Sequence, residues 1–114
     1  MELTIRERIN NYQNEIIKGD LFPERAAEIL TEISALLGNI NDEMLKRDVE
    51  YNKVLLKYLE EEKTANRAKI KADISPEYEL MKTARNTEKQ VLEMIRSLKY
   101  LLRAKTEEYN QGNN

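Results

Sequence analysis

The sequence contains no cysteine and no histidine. Without cysteine there is neither a disulfide framework nor a thiolate metal site, and without histidine the usual general base and the commonest zinc ligand are missing. Glycine and proline occupy only five positions, whereas charged residues make up 35% of the chain. This composition is typical of long, surface-rich helices rather than of a β-sandwich or a βαβ protein. The 114 residues are enough for a single domain, 1–114, with a modest core.

Signals for export, membrane insertion and catalysis are also missing. The first residues lack the basic and apolar regions of an export signal, and no run approaches the ~20 apolar residues that span a bilayer. There is no glycine-rich phosphate loop and no nucleophile elbow. Acidic pairs such as Asp42-Glu43 are typical of helix caps and helix surfaces. We therefore expect a soluble, cytoplasmic protein that is not an enzyme and needs neither a metal nor a cofactor.

The long stretch from residue 42 to residue 109 predicts an all-α fold built on an antiparallel helical hairpin. Its two arms are residues 42–74, capped by Asn41, and residues 76–109, with Ser75 as N-cap and Pro76 at the first helical position. In the second arm apolar residues recur in steps of three and four and are interrupted by Glu88. They are Met81, Ala84, Val91, Ile95, Leu98 and Leu102. Such a narrow seam favours a partner helix. We expect Val91, Ile95, Leu98 and Leu102 to mediate self-association.

A shorter helical hairpin, residues 4–38, precedes the long one. Thr4 and Glu7 form a capping-box pattern, and Gly19 is a natural stop for the first helix. Pro23 suits the first turn of the second helix, which we expect to end at Gly38. The apolar face of this hairpin is too small to be stable alone, so it must pack on its own chain or on another subunit. Residues 110–114 read as a frayed tail.

Charge is distributed unevenly along the chain. Residues 1–62 carry 8 Lys/Arg against 14 Asp/Glu, whereas residues 63–89 carry 7 against 4. An excess of cations indicates either an anionic partner or mutual neutralisation of the two halves. If the arms fold back about Ser75, Arg103 lies near Asp48 and Lys89 lies near Glu62. Near the tip no acid is available in this register. The candidate nucleic-acid-binding residues are Lys63, Arg67, Lys69, Lys71, Lys82, Arg85 and Lys89.

Phosphate backbone is the biological anion that best fits a linear array of lysine and arginine. For each of these residues the alternative is that it belongs to a solvated helix surface and binds no anion. Aromatic side chains would strengthen the case for nucleic acid, and Tyr78 is the one candidate near the tip. Tyr51, Tyr58 and Tyr100 lie in apolar stretches and read as core. No helix-turn-helix or basic-zipper pattern is present, so binding is expected to be independent of sequence and sensitive to salt.

Short motifs in residues 63–101 resemble the phage recombination mediator family (UvsY-like). They are Arg67-Ala68-Lys69-Ile70, Met81-Lys82-Thr83, Val91-Leu92 and Ser97-Leu98-Lys99-Tyr100. The resemblance implies a small helical protein that assembles into a ring, binds single-stranded DNA and helps load a RecA-like recombinase onto DNA coated by single-strand-binding protein. It also implies that Arg67 and Lys69 contact phosphates. The protein would then be in the cytoplasm of the host cell. The sequence has no Trp, and residues 4–37 have no counterpart in the family pattern.

Two further functions remain open at the level of sequence. A protein-interaction adaptor or inhibitor would use its paired helices, or the acidic residues 1–62, to bind a protein and would not touch nucleic acid. A purely structural coiled-coil subunit of a larger particle would self-associate and do nothing else.

Overall fold

The computed structural model describes residues 3–112, with the side chains of residues 3–108, and the described residues form four α-helices without a β-strand. The helices are α1 (Ile5–Ile17), α2 (Pro23–Glu61), α3 (Ala65–Asp73) and α4 (Pro76–Gly112). The all-α fold and the pairing of two long helices, α2 and α4, are confirmed. None of the described helices contains an apolar stretch sufficient to cross a membrane.

Helix starts follow the local sequence signals. Thr4 caps α1: its hydroxyl accepts from the Glu7 amide at 3.1 Å, and its own amide donates to the Glu7 carboxylate at 3.3 Å. Gly19 follows α1 with a φ of 87°, a conformation that favours glycine. Pro23 is the first residue of α2, and Ser75 caps α4 by accepting from the Tyr78 amide. These predictions are confirmed. They could be made from the sequence because each helix start depends only on neighbouring residues.

Two predicted helix boundaries are wrong. α2 passes through Gly38 and Asn41 without a break, because its buried residues continue at helical spacing on both sides, with Ile33 before and Ile40 after. Packing of this kind offsets the ~1 kcal/mol that a glycine costs inside a helix. The predicted helix 42–74 is instead divided after Glu61, and Thr64 caps the new helix α3 through the Arg67 amide.

At the other end of the chain, α4 continues to Gly112, so the predicted fraying at residues 110–112 is not seen. Residues 113–114 lie outside the described residues.

The chain divides into two compact units. The first unit holds the residues up to Gly38 and those from Lys89 onward, and so contains α1 with parts of α2 and α4. Its core consists of Ile9, Ala26, Ile29, Ile33, Val91, Met94 and Leu98, all buried. Gln90 on α4 donates to Asn10 and Gln13 on α1, and Arg25 on α2 forms an ion pair with Glu15 at 2.6 Å.

The second unit spans residues 39–88 and holds the end of α2, α3 and the start of α4. Tyr51, Ala72 and Met81 form its central cluster, with Val54, Leu55, Tyr58 and Tyr78 packed against it. Tyr51 lies beside Met81, and Asp48 beside Arg85, so α2 and α4 run antiparallel here. Because α3 lies between α2 and α4 in the chain, the residues of α2 and α4 that face each other differ from those expected for two arms folded back at Ser75.

Four of the six predicted seam residues are buried: Met81, Ala84, Val91 and Leu98. Thr87 is also buried and donates its hydroxyl to the Thr83 carbonyl. It therefore occupies the place at which we expected Glu88 to interrupt the seam. After Val91 the next buried residue of α4 is Met94, whereas Ile95 is only half-buried.

Candidate nucleic-acid interface

The candidate cations divide between the two units. Six lie in the second unit and Lys89 lies in the first. Residues 62–85 contain six cations and four carboxylates, whereas the second unit as a whole contains ten cations and eleven carboxylates. Helix α3 packs its small residues Ala68 and Ala72 inward, both fully buried, which leaves the side chains between them at the surface.

The alternation of cation, alanine and cation on α3 places neighbouring cations on opposite flanks. Residues two positions apart on a helix point about 160° away from each other, because each residue advances the helix by about 100°. Arg67 and Lys69 therefore lie on either side of the buried Ala68, and both are exposed. One phosphate cannot bridge this pair, so the structure divides the predicted binding motif into two groups.

The first group surrounds Glu62, just beyond the end of α2. Lys71 forms an ion pair with Glu62, and its ammonium lies 5.9 Å from the centre of the Tyr58 ring. The hydrogen bond from Lys71, with a further contribution from the charge of Arg67, lowers the pKa of Glu62. Arg67 has no ion pair with any described residue, and it also lies near enough to Lys71 to repel it. We call Glu62, Lys71 and Arg67 the Glu62 group.

The second group surrounds Asp73 at the end of α3. The Asp73 carboxylate accepts a hydrogen bond from the Tyr51 hydroxyl and forms an ion pair with Lys69 at 3.1 Å. These two contacts, the tyrosine first, hold the pKa of Asp73 below its usual value, and the charge of Lys82 acts in the same direction. We call Asp73, Tyr51, Lys69 and Lys82 the Asp73 group.

Tyr78 is not a free stacking platform. Its ring packs against the buried Tyr51, with 5.5 Å between ring centroids and 53° between planes, and the Lys82 ammonium lies 5.4 Å from its centre. The one aromatic candidate near the tip is therefore half-buried, and its ring already has Tyr51 and Lys82 as neighbours. Tyr100, which we expected in the core, is instead 73% exposed, whereas Tyr51 is buried and Tyr58 half-buried.

Three of the seven candidate cations form ion pairs, which corrects the predicted absence of counter-charges near the tip. Lys69 pairs with Asp73, Lys71 with Glu62, and Arg85 with Asp48 at 3.1 Å. Asp48 and Glu62 therefore take partners other than the predicted Arg103 and Lys89, because α3 changes the register of the hairpin. Within the described part of the chain, Lys63, Arg67, Lys82 and Lys89 have no ion pair.

Large apolar side chains lie next to Arg67 on the outer side of α3. Ile70 is 57% exposed, and Ile74, which ends the helix, is 80% exposed. Sequence reasoning did not select them, although their spacing from Arg67 by three and seven residues was a readable signal. Surfaces that bind single-stranded nucleic acid combine cations with aromatic rings on which bases stack, whereas the isoleucines here offer only aliphatic contact.

The residues predicted to mediate self-association lie in the first unit. Val91 and Leu98 are fully buried within the chain, and Ile95 and Leu102 are half-buried. Val91 and Leu98 thus contribute to the chain's own core, and a role of Ile95 and Leu102 between subunits stays a prediction.

Among the described residues, no group of three or more Asp, Glu, His or Cys side chains is placed to hold a metal ion. Comparison with protein-family models, with curated proteins and with solved structures finds no match to this chain.

Proposed function

We propose that this chain binds single-stranded DNA without sequence preference through the surface of α3. The observation that carries the proposal is Arg67, which is exposed and has no ion pair with a described residue, on a helix that also exposes Ile70 and is followed by the exposed Ile74. Lys63 adds a further exposed cation four residues earlier. Arginine suits phosphate because its planar guanidinium donates two parallel hydrogen bonds.

The wider role is that of an accessory protein of phage-type homologous recombination that helps load a RecA-like recombinase onto DNA coated by single-strand-binding protein. The resemblance of residues 63–101 to the recombination mediators supports this part of the proposal. A homo-oligomer, such as a ring, would bring several α3 surfaces onto one strand and convert weak single contacts into avid binding. The protein would act by binding rather than by catalysis, and it would need no cofactor.

The test is a salt titration of binding to a fluorescent oligonucleotide. The double variant Arg67→Ala/Lys69→Ala is expected to weaken binding while its helical content stays unchanged. Loss of two phosphate contacts would reduce the slope of log K against log salt concentration by ~1.4, since each contact to a single strand contributes ~0.7. The matched control is Arg8→Ala/Lys18→Ala, which removes one exposed arginine and one exposed lysine from the first unit. Equal slopes for both double variants would contradict the proposal.

A protein-interaction adaptor or inhibitor is the second candidate, and one observation favours it. Lys69, Lys71 and Arg85 are already engaged by carboxylates, so fewer cations are available for phosphate than the sequence suggests. This candidate predicts no oligonucleotide binding even at low salt.

A further inference from the structure

The outer face of α2 in the second unit carries an apolar stripe that no described side chain covers. Its members are Leu45, Val49, Leu56 and Leu59, which are 60%, 50%, 57% and 44% exposed. Asn52, also exposed, lies between them. We call these five residues the α2 stripe. The opposite side of the same segment contributes the buried Tyr51 to the core, so α2 is apolar on two faces here.

The spacing of the α2 stripe is that of a coiled coil. Its residues follow one another in steps of four, three, four and three, which is the alternation that brings side chains onto one seam for a partner helix. A single polar residue within such a seam is the usual device for fixing register and number of strands. We propose that the α2 stripe binds the same stripe of a second copy of this chain, forming an antiparallel dimer.

A second copy fits because the surface is self-complementary. A two-fold dimer uses the same patch on both subunits, so each must carry both halves of every contact. Lys46, Lys53 and Glu60 flank the α2 stripe on its solvent side. In an antiparallel pair this flank of one copy lies against the same flank of the other copy, and the two run in opposite directions. Lys46 of each copy therefore lies beside Glu60 of the other.

The parallel arrangement is less favourable. It would place the flank with Lys46, Lys53 and Glu60 of one copy against the other flank of the second copy, which carries Asp48 and Leu55. Asp48 is already bound to Arg85 of its own chain, and Leu55 packs on the core cluster. The antiparallel arrangement has two like-charge pairings. Lys53 meets its own copy near the axis, and these exposed side chains can diverge into water. On the other flank Asp48 of each copy comes near Glu62 of the other, but both carboxylates already pair with cations of their own chain, Arg85 and Lys71.

The size of the surface sets the strength of the dimer. From Leu45 to Leu59 the stripe extends ~21 Å along the helix at the usual rise of ~1.5 Å per residue. One seam of that length buries less than the ~800 Å² per partner typical of stable complexes. We therefore expect a reversible dimer that forms in the micromolar range.

The test is sedimentation equilibrium of the full chain without DNA, from low to high micromolar concentration. The unaltered chain is expected to change from monomer to dimer. Leu56→Glu places a charge in the middle of the seam and should weaken the dimer at least tenfold. Leu92→Glu is the matched control, since Leu92 on α4 is also exposed, at 42%, and lies outside the stripe. Circular dichroism checks that both variants keep their helices.

A charge exchange then tests the orientation. Lys46→Glu should weaken the dimer several-fold, and Lys46→Glu/Glu60→Lys should restore it. The proposal is overturned if the chain is a monomer throughout, if Leu92→Glu and Leu56→Glu act equally, or if the double exchange fails to restore association. Oligonucleotide binding is measured separately, so failure of this proposal is distinguishable from failure of the proposed function.

Discussion

The Glu62 group and the Asp73 group hold the same kinds of residue on the two flanks of one helix, yet they are attached to the protein differently. In each group one lysine forms an ion pair with the carboxylate, and a second cation acts on it through its charge alone. Asp73 is also bound by the hydroxyl of the buried Tyr51, a member of the central cluster of the second unit. Glu62 pairs with Lys71 beside the exposed Arg67, and no side chain of the central cluster binds its carboxylate. The side chain of Glu62 is 14% exposed, against 30% for that of Asp73.

This difference shows that a basic motif can combine two tasks. Lys69 pairs with a carboxylate that the core tyrosine also binds, so a ligand must compete with the fold for this lysine. Lys71 pairs with a carboxylate that no side chain of the central cluster binds, and an ion pair of a half-exposed lysine contributes on the order of 1 kcal/mol. An external anion that binds the Glu62 group therefore disturbs no contact of the central cluster.

The largest effect is expected at the residue that positions both groups. Ala72→Leu inserts three carbon atoms where α3 contacts Tyr51 and Met81, and overpacking of this kind costs ~1–3 kcal/mol. Both groups should lose their geometry, so oligonucleotide affinity should fall as well. Urea unfolding measures the free energy. Ala65→Leu on the exposed side of the same helix is the control, and an equal loss there would contradict the role of close packing.

Removal of the Tyr51 hydroxyl should affect only the Asp73 group. Tyr51→Phe leaves the ring in the core and removes one hydrogen bond to a carboxylate, which costs ~1–2 kcal/mol in the free energy of unfolding. Tyr58→Phe is the matched control, because its hydroxyl bonds no other described residue. If the two variants unfold at the same urea concentration, the hydrogen bond does not stabilise the unit.

The same hydroxyl makes stability depend on alkaline pH. Burial, and then the hydrogen bond to Asp73, raise the pKa of Tyr51 to about 12 from the ordinary value of 10.0. A group whose pKa is raised by folding contributes its full stability below the unfolded value and loses it as pH rises through the folded value. The free energy of unfolding should therefore fall between about pH 10 and pH 12. Absorbance of tyrosinate at 295 nm follows the titration, and Tyr51→Phe should remove this part of the decline.

The smallest effect distinguishes the two carboxylates directly. Glu62→Gln releases Lys71 and removes a negative charge near Arg67, and it should raise oligonucleotide affinity by at most about fivefold, the equivalent of one ion pair, with a smaller loss of stability than Asp73→Asn. Asp73→Asn should also raise affinity, but it weakens the acceptor of the Tyr51 hydroxyl and so lowers stability. The measurements are binding isotherms and urea unfolding of each variant. Equal stabilities for the two would remove the distinction between the groups.

The sequence predicts best what is decided locally. Thr4 with Glu7, Pro23, and Ser75 with Pro76 each begin a helix where expected, because a cap depends on the three or four residues beside it. The seam of α4 was also found, since its spacing is visible over many turns.

Features decided by packing were missed. Gly38 looks like a stop, but α2 continues because Ile33 and Ile40 are buried on either side. Thr64 was not recognised as a cap, so α3 was joined to the preceding helix and the register of the hairpin was wrong. The partners of Asp48 and Glu62 were lost with that register, and with them the division of the cations into two groups.

The described backbone demands a glycine at one position only. Gly19 has a positive φ, whereas Gly38 lies within a helix, and a methyl group added there would meet nothing within 4 Å. The fold is thus encoded almost entirely by the spacing of its apolar residues along the helices rather than by turns that require a positive φ. Such a scaffold can accept extensive change on its outward faces while its architecture persists, which leaves those faces open to acquire or exchange binding partners.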